Sequence, residues 1–393
     1  MPAWSLIVTL AGLSMVGAFA IDTFLPSFPA IAQEFSIGMG AVQQALSLYL
    51  LAFSMMSLFY GTLSDSFGRR PVVLGSLVLF TVSSTGAALS SSFGGLLFFR
   101  VLQGLSAGGG LVVGQAIIRD RFSGATAQRL MSQVTMVFGL APAIAPVIGG
   151  QLHAHFGWRS VFVFMAGIGI ALILATLRWL PESLPAASRV PFHPAKLAGS
   201  YWTALRHPHF MARALATAFA FGGLALYISS AASFIMHILH LPETAFAWLF
   251  IPTIGGIVMG SAVGARQARH GQPARVIRTA VACMASAAVL NIAYNSFFAA
   301  SIPWAVMPIM LYTFGLGLFL PHMTLMALDL FPQMRGLAAS LLGFLRMLVF
   351  SAMSGIVAPV LFDSAIQLAC GLLACLVIAV ACWKIGCPRS KAD

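Results

Sequence analysis

Charged residues are scarce in this sequence. Only 8% of its 393 residues are Asp, Glu, Lys or Arg, and nine of them are acids. Soluble domains usually carry about 25% charged residues, so this chain cannot cover itself with a water-compatible surface, and a cytosolic enzyme is excluded. Disorder is excluded because it needs low hydrophobicity and high charge. The 37 Gly and 20 Pro show no three-residue period, which excludes collagen.

Metal-binding patterns are missing as well. Two H-x-H pairs fall in predicted loops, His153 with His155 and His207 with His209, without Cys or carboxylate partners nearby. Four of the five cysteines fall in or just after the last apolar segment, at Cys370, Cys375, Cys382 and Cys387. Their spacings match neither zinc nor redox motifs, so we expect free thiols that pack as small hydrophobes. The sequence therefore predicts no metal and no bound cofactor.

Long apolar blocks fill the chain instead. The apolar fraction is 60% and the mean hydropathy is +0.95, and a membrane-spanning helix needs about 20 apolar residues. The blocks do not alternate as the strands of a porin barrel do. We therefore predict an all-α integral membrane protein. Its twelve transmembrane helices are predicted at residues 4–30, 41–60, 71–91, 95–117, 130–152, 159–180, 209–238, 244–265, 276–298, 303–328, 336–360 and 364–386.

The positions of the basic residues predict the topology. All but three of the 21 Lys and Arg residues fall in alternate connections; the exceptions are Arg159 and two residues inside spans, Arg100 and Arg346. By the positive-inside rule these basic connections and both termini are cytoplasmic. The formal net charge of +12 is therefore a topology signal, and we expect the lipid bilayer, not nucleic acid, as the partner. No basic residue precedes the first span, so we expect it to be retained and not cleaved as a signal peptide.

A polar stretch divides the chain. Residues 181–208 contain five prolines and separate six predicted spans from six. We predict an N-terminal six-helix half at 1–180, a cytoplasmic linker at 181–208 and a C-terminal six-helix half at 209–393. A faint repeat supports two pseudo-symmetric halves, because Gly61 and Gly68 recur as Gly264 and Gly271. Many transporters are built from repeated halves, with the substrate site at their interface.

The most specific string is GTLSDSFGRRPVVL, residues 61–74, after the second span. Gly61 and Gly68 permit close approach and a positive φ, while Asp65, Arg69 and Arg70 can hold neighbouring helix ends electrostatically. We call residues 61–74 the latch loop and expect it to act as a conformational latch. The alternative is an ordinary charged turn.

Asp22 is the only acid well inside a first-half span. Pro26 lacks the N–H that would bond the carbonyl of Asp22, and Pro29 likewise frees the carbonyl of Leu25. The helix should be loosened beside a carboxylate, which is tolerated where backbone lines a cavity or is buried in protein. The alternative is a structural Asp near the outer surface.

Arg100 and Gln103 lie inside the fourth span. An Arg at the middle of a membrane helix costs about 2.5–3.5 kcal/mol on insertion scales, so Arg100 needs a partner or a water-filled cavity, unless it snorkels to the outer surface. At 1.5 Å per residue, Asp22 and Arg100 both fall on the order of 8–15 Å below the outer boundary. We therefore expect the two charges at one level.

Prolines and glycines concentrate in the fifth span, at Gly139, Pro142, Pro146, Gly149 and Gly150. Proline removes helix hydrogen bonds and kinks the helix, and Gly lets a neighbouring helix pack closely. The span is therefore either part of a transport mechanism or a kinked packing helix.

Ionisable groups recur in the second half. His322 lies in the tenth span, Asp329 follows seven residues later on the same helical face, and Arg346 lies in the eleventh span. Such groups suggest function by default, and we interpret them as a second polar cluster, although His322 could bond a neighbouring helix and Arg346 could be paired structurally. The residues predicted to line a substrate cavity are Phe24, Tyr49, Phe53, Gln103, Phe138, Phe221, Tyr227, Tyr312 and His322.

Four of these sequence features resemble those of one family. The latch loop resembles the loop signature of the major facilitator superfamily, G-x-L-x-D-x-x-G-R-R/K, with Ser66 where a basic residue is common. Residues 96–110, with Arg100 and Gln103, resemble the R-x-x-Q-G motif of its proton-coupled drug exporters. The fifth span resembles the antiporter motif of the drug/proton antiporters in their Bcr/CflA (bicyclomycin and chloramphenicol resistance) form, with Ala145 where Gly is usual. The D-x-x-x-P-x-x-P spacing of the first span is similar to that of the same exporters.

The resemblance covers essentially the whole chain and implies the fold of that superfamily. It implies a proton-coupled exporter of small amphipathic antibiotics that works by alternating access, as a monomer, in a bacterial inner membrane. Asp22 and Arg100 would couple transport to the proton gradient, the energy source. The alternative is a porter for a sugar or another metabolite on the same fold. A membrane enzyme or lipid-handling protein is the third class, but no metal triad, nucleotide loop or nucleophile elbow supports it.

Overall fold

The computed structural model describes residues 3–268 and 273–386, so Gly271 and Cys387 of the predictions above lie outside the described residues. Within them the chain is helical. The α-helices are α1 Ala3–Asp22, α2 Phe28–Glu34, α3 Met39–Ser57, α4 Tyr60–Phe67, α5 Arg69–Ala88, α6 Phe93–Ala107, α7 Gly109–Arg121, α8 Gly124–Phe156, α9 Arg159–Trp179, α10 Pro194–Leu205, α11 Pro208–Ser229, α12 Ala247–Ala268, α13 Pro273–Phe297, α14 Met307–Leu328, α15 Arg335–Ala352, α16 Ala358–Leu361 and α17 Ala365–Gly386.

The twelve predicted transmembrane helices are confirmed among the described residues, where twelve helical segments are long and apolar enough to cross a membrane. Large apolar side chains are exposed along these segments, for example Val82 at 56%, Leu174 at 61% and Val289 at 60%. Water would penalise such surfaces, whereas lipid tails do not. The largest difference in bounds is at the seventh span, where α11 ends at Ser229 and a separate π-helical turn covers Ser233–Ile238.

The first span is broken where the prolines predict it. α1 ends at Asp22, a 3₁₀ turn covers Leu25–Ser27, and α2 continues to Glu34. Pro26 lies within the 3₁₀ turn and has no N–H to continue the α-helical ladder. The loosened backbone predicted beside Asp22 is therefore confirmed.

The fifth span does not break at its prolines. α8 runs for 33 residues with Pro142 and Pro146 inside it. Its inner face packs against α1, where Ala141 and Ala145 of α8 form a buried cluster with Phe19. Small side chains at these positions let the two helices approach closely, so packing maintains the helix where two backbone hydrogen bonds are lost.

The predicted linker contains a helix. α10 covers Pro194–Leu205 and packs against α11 and α15. Tyr201 of α10 bonds with Ser340 of α15, and burial raises the pKa of its hydroxyl to about 12, so the phenol stays neutral.

The chain divides into two compact units. The first comprises Met1–His193 with Glu243–Ala247, and the second comprises Pro194–Pro242 with Trp248–Asp393. The break after α1, the latch loop, the arginine of the fourth span and the fifth span therefore belong to the first unit.

Candidate functional site

Asp22 stands at the last residue of α1, where the chain leaves the helix. Its side chain is 3% exposed, and its Oδ1 atom has no hydrogen-bond partner among the described residues. The hydroxyl of Thr23, the next residue, is also buried without a partner in that part of the chain. The break therefore holds a carboxyl oxygen inside the first unit, where a charge is costly unless it is compensated or removed.

Arg100 of α6 is fully buried and does not snorkel. Its Nη1 donates to the carbonyl oxygen of Ala20 at 3.0 Å, and its Nε donates to that of Ala45 at 3.2 Å. Its guanidinium carbon lies 4.5 Å from the ring centre of Phe24 and 4.4 Å from that of Tyr49. Backbone dipoles and aromatic ring faces thus surround the cation with favourable partners.

The two charges lie at one level, as expected, because Arg100 bonds the carbonyl of Ala20, two residues before Asp22. Among the described residues, however, no ion pair joins them. Nη2 of Arg100 is buried without a partner in this part of the chain, as is Oδ1 of Asp22. A guanidinium N–H group of Arg100 and a carboxyl oxygen of Asp22 therefore lie at the same depth, each without a hydrogen bond to the described residues.

Gln103 fixes the orientation of Arg100. Its Oε1 accepts from Nη1 of Arg100 at 2.5 Å, and its Nε2 donates to the hydroxyl of Ser84 at 2.8 Å and lies 3.4 Å from the sulfur of Met165. Residues three apart on a helix share a face, which is why the R-x-x-Q spacing lets one side chain hold the other.

Arg69 is the centre of the latch loop. Its Nη1 pairs with Oδ1 of Asp65 at 2.5 Å and donates to the hydroxyl of Ser64 at 2.6 Å. Its Nε donates to Oδ2 of Asp120 at 3.0 Å, and that oxygen also accepts from the hydroxyl of Ser183 at 2.9 Å. One largely buried guanidinium thus joins α4 and α5 to α7 and the chain after α9.

Glu182 binds the start of α5. Its two carboxylate oxygens accept from the backbone N–H groups of Arg69 at 3.0 Å and Arg70 at 3.2 Å, and a carboxylate at a helix N-terminus is favoured by the helix dipole. The side chain of Arg70 donates to the carbonyl of Leu177 at 2.8 Å. Both acceptors, Glu182 and Leu177, lie near the junction between α9 and the linker.

The two glycines of the latch loop differ. Gly68 has φ of +99°, and a Cβ there would lie 2.7 Å from Oε2 of Glu182 and 2.9 Å from Nη2 of Arg189. The motif thus requires Gly at this position for both conformation and space. A Cβ on Gly61 would meet nothing within 4 Å, so the close approach expected at Gly61 is wrong.

The glycines of the fifth span also differ. A Cβ on Gly149 would overlap the carbonyl oxygen of Thr23, beside Asp22, and one on Gly150 would overlap that of Glu243 in the same unit. Gly139 faces open space. The close packing expected from this motif is therefore confirmed at its outer end and absent at Gly139.

The aromatic residues predicted to line a cavity take several places in the first unit. Phe24 and Tyr49 are fully buried against Arg100. Phe53 is half-buried, with its ring centre 6.3 Å from that of Tyr49. Phe138 is half-buried and packs against the cluster that α8 forms with α1.

In the second unit, Tyr227 and Tyr312 are fully buried. The hydroxyl of Tyr312 donates to the carbonyl of Ala220 at 2.8 Å, and the hydroxyl of Tyr227 accepts from Nδ2 of Asn291 at 2.7 Å. Both side chains thus join α11 to a neighbouring helix. Phe221 is half-buried on α11.

His322 is buried in α14. Its Nδ1 lies 2.8 Å from the carbonyl oxygen of Leu318, one turn earlier on the same helix. Its ring also lies against Gly264 of α12, where a Cβ would be 3.2 Å from Cε1. The expected hydrogen bond is thus within the helix, and the contact with the neighbouring helix is steric.

The other two members of the second polar cluster do not join His322. Asp329 lies just past the end of α14, with 64% of its side chain exposed, and pairs with Arg335 at 2.9 Å. Arg346 lies on α15, and no contact among the described residues links it to Asp329 or His322. The cluster is not assembled in this part of the chain, because Asp329 lies about two helical turns beyond His322. It follows the end of α14, where its side chain is exposed and pairs with Arg335.

Five residues of these networks were missed by the sequence reasoning: Ser84, Asp120, Met165, Glu182 and Ser183. Acids are so rare here that Asp120 and Glu182, each at the end of a span, could have been singled out. The other three carry no such signal. Among the described residues, no group of three or more His, Cys, Asp and Glu side chains could hold a metal.

The sequence matches the profile described as Major Facilitator Superfamily over residues 10–355. The chain belongs to this superfamily. A relative from Bacillus subtilis, an uncharacterized MFS-type transporter called YdgK, is 31% identical over 352 residues, covering 88% of this chain and 87% of the relative. The protein is therefore a transporter of small molecules and not an enzyme.

Relatives within the superfamily carry drug-resistance names. The bicyclomycin resistance protein homolog of Haemophilus influenzae is 27% identical over 95% of this chain and 94% of its own length. The chloramphenicol resistance protein of Pseudomonas aeruginosa is 28% identical over 72% of this chain and 67% of its own. This superfamily member is thus a distant relative of drug-resistance proteins.

A solved structure supports the fold. The human organic anion transporter MFSD10 (TETRAN) superposes with a TM-score of 0.74 at 17% identity, covering 98% of this chain and 100% of that one. At this identity the likeness shows the superfamily fold alone, in agreement with the twelve spans.

Proposed function

We propose that this superfamily member is a proton-coupled exporter of small amphipathic compounds, of the chloramphenicol or bicyclomycin kind. It works by alternating access, as a monomer, in a bacterial inner membrane with both termini in the cytoplasm. The distribution of Lys and Arg supports this orientation, and the names of the distant relatives support the substrate class.

The observation that carries the proposal is the state of Asp22. Its carboxyl is buried at a helix break with one oxygen unpaired among the described residues, at the level of Arg100. Burial disfavours a charged carboxylate, whereas a nearby cation favours it. Because the two influences oppose each other, a proton and a bound compound can compete for the site.

The latch loop supplies the conformational part of this proposal. Arg69, Asp65, Asp120 and Glu182 hold the ends of α4, α5 and α7 against the linker in the first unit. Transport by alternating access needs two states of similar free energy. We expect this network to set their balance without contacting the substrate.

The first experiment uses a bacterial host stripped of its own exporters. Expression of the protein should raise the tolerated concentration of chloramphenicol several-fold. In inside-out vesicles, an acidic lumen should drive accumulation of labelled chloramphenicol, and a protonophore should abolish it. Asp329→Asn is the control variant. It changes an exposed carboxylate that lies outside the helices, so its transport should equal that of the wild type.

Failure to protect the host and failure to accumulate any amphipathic drug would together contradict the exporter assignment. Gradient-driven transport of a sugar or another metabolite by the same vesicles would then favour the alternative porter.

A further inference from the structure

Arg346 is a charged residue inside the second unit, and none of the described residues pairs with it as an opposite charge. Its Nε is buried without a hydrogen-bond partner among the described residues, and no ion pair with Arg346 occurs there. The side chain is only partly buried. An arginine inside a membrane protein is costly, and such residues usually pair with other groups or mark a substrate pathway.

The depth of Arg346 excludes a simple contact with lipid headgroups. It lies about three turns, or about 16 Å, beyond Arg335 at the start of α15. Since the hydrocarbon core is about 30 Å thick, this position is close to the middle of the bilayer. Transporters commonly bind their substrates at this depth.

The spans of the second unit offer no acid to neutralise Arg346. The six membrane spans from Pro208 onward contain neither Asp nor Glu. The acid that follows α14, Asp329, already pairs with Arg335 at 2.9 Å. A counter-charge for Arg346 must therefore come from outside this unit's membrane helices.

Arg100 shows how the same chain satisfies a buried arginine. Its Nε and Nη1 atoms donate to the carbonyls of Ala20 and Ala45 and to Gln103, and two aromatic rings enclose it. Arg346 has none of these hydrogen bonds among the described residues, and its single ring contact is Phe221, with the guanidinium carbon 6.0 Å from the ring centre. The donors of Arg346 thus remain available.

The surroundings of Arg346 leave room for a ligand with an aromatic body. Phe221 packs edge-on against Phe350, with ring centres 5.8 Å apart. One turn before Arg346, on the same helical face, a Cβ on Gly343 would meet nothing within 4 Å. The guanidinium of Arg346, the ring of Phe221 and the open space beside Gly343 are therefore neighbours.

We propose that Arg346 binds an oxyanion of the transported compound, with Phe221 against its apolar body, so that the substrate class includes amphipathic aromatic acids. This rests on the proposed exporter function and adds anionic compounds to its substrates. The planar fork of Arg matches a carboxylate, sulfonate or phosphate through two parallel hydrogen bonds. The bound oxyanion would supply the negative charge that the membrane helices of the second unit lack.

The test compares two fluorescent probes that differ in one charge. Dansylglycine carries a carboxylate, and dansylglycinamide replaces it with a neutral amide. Binding of each is measured on the purified full chain in nanodiscs of phosphatidylcholine. The wild type should bind the acid about tenfold or more tightly than the amide, as expected for charge-assisted hydrogen bonds.

The variants assign that preference to one residue. Arg346→Gln should remove the preference for the acid and leave binding of the amide near the wild-type value, whereas Arg346→Lys should keep part of it. Arg335→Gln is the matched control, because Arg335 lies on the same helix but is exposed and paired with Asp329. This variant should keep the full preference for the acid. Equal binding of the two probes by the wild type, or an unchanged preference in Arg346→Gln, would overturn the proposal.

A lipid source of the oxyanion is tested by adding phosphatidylglycerol to the nanodiscs. Unchanged binding of dansylglycine supports a substrate site, and competition that disappears in Arg346→Gln would assign the site to lipid phosphate and overturn the proposal. Binding does not depend on a proton gradient. Loss of gradient-driven export with an intact acid preference would therefore contradict the exporter function alone, and chloramphenicol export without an acid preference would contradict this inference alone.

Discussion

The first membrane helices of the two units, α1 and α11, end in different chemical environments. α1 stops at Asp22, whose buried carboxyl lies at the level of the buried Arg100. α11 stops at Ser229, and the polar groups packed nearby on α11 and α13 are the neutral side chains of Tyr227 and Asn291, 2.7 Å apart. Both units interrupt the helix, but only the first places a carboxyl group at the interruption.

This difference separates two tasks. A hydroxyl and an amide can hold helices together without changing charge, whereas a carboxyl group can gain or lose a proton. Arg100 and Arg346 also differ in their hydrogen bonds. Arg100 donates to two carbonyls and to Gln103, whereas Arg346 has no such acceptors among the described residues. If the proposed function holds, we expect the first unit to carry the proton chemistry and the second to present a fixed charge.

The largest expected effect comes from removing the carboxyl group. Asp22→Asn should lower gradient-driven accumulation of chloramphenicol in vesicles to the level of vesicles without the protein, because the amide cannot take up and release the coupled proton. Ser229→Ala, at the equivalent break of the second unit, should transport close to the wild-type rate. Normal insertion and retained drug binding by Asp22→Asn show that folding is intact.

Full gradient-driven transport by Asp22→Asn would contradict the hypothesis that the first unit couples transport to protons. It would direct attention to His322, the buried titratable side chain of α14.

The second effect concerns the two arginines and stability. Arg100→Ala leaves buried acceptors without a donor and should lower the free energy of unfolding by about 2–3 kcal/mol, seen as a lower melting temperature in detergent. Arg100→Lys keeps the charge but loses the planar fork, so it should lie between the wild type and Arg100→Ala. Arg346→Ala loses no hydrogen bond to the described residues and should leave the melting temperature unchanged or higher. A large loss for Arg346→Ala would show a structural partner and weaken the contrast.

The third effect separates the latch loop from an exposed ion pair. Arg69→Ala removes contacts to Asp65, Ser64 and Asp120 and should slow transport about tenfold, which corresponds to about 1.4 kcal/mol in the balance of states. Equilibrium binding of chloramphenicol should persist. Arg335→Ala breaks one exposed pair, whose contribution is about 0–1 kcal/mol, and should transport normally. A large affinity loss in Arg69→Ala with normal cycling would contradict the role of the loop.

The smallest effect tests the neutral network of the second unit. Asn291→Ala and Tyr227→Phe should each cost about 1 kcal/mol of stability, and the double variant should cost less than their sum because the two side chains share one hydrogen bond. The pH dependence of transport should be the same as in the wild type for both single variants and for the double variant. A shifted pH profile in Asn291→Ala would place proton chemistry in both units.

The sequence predicted the parts of the site that depend on neighbours along the chain. Pro26 and Pro29 predicted the break after Asp22, and the spacing of Arg100 and Gln103 placed both on one helical face. It failed where the partner is distant in sequence, as with Glu182 at the start of α5. It also failed at Asp329, because the sequence does not show that this side chain is exposed and pairs with Arg335.

The sequence by itself determined the membrane spans and the family resemblance, and it predicts the orientation of the spans. These follow from the length of apolar runs, the side on which basic residues accumulate, and the spacing of Gly, Pro and charged residues, all of which are local. Only the tertiary structure decided which charges have partners. Arg69 and Arg100 are surrounded by acceptors, while Arg346 and one oxygen of Asp22 lack them among the described residues. Partners of this kind come from helices far apart in the chain, and their positions are set by packing.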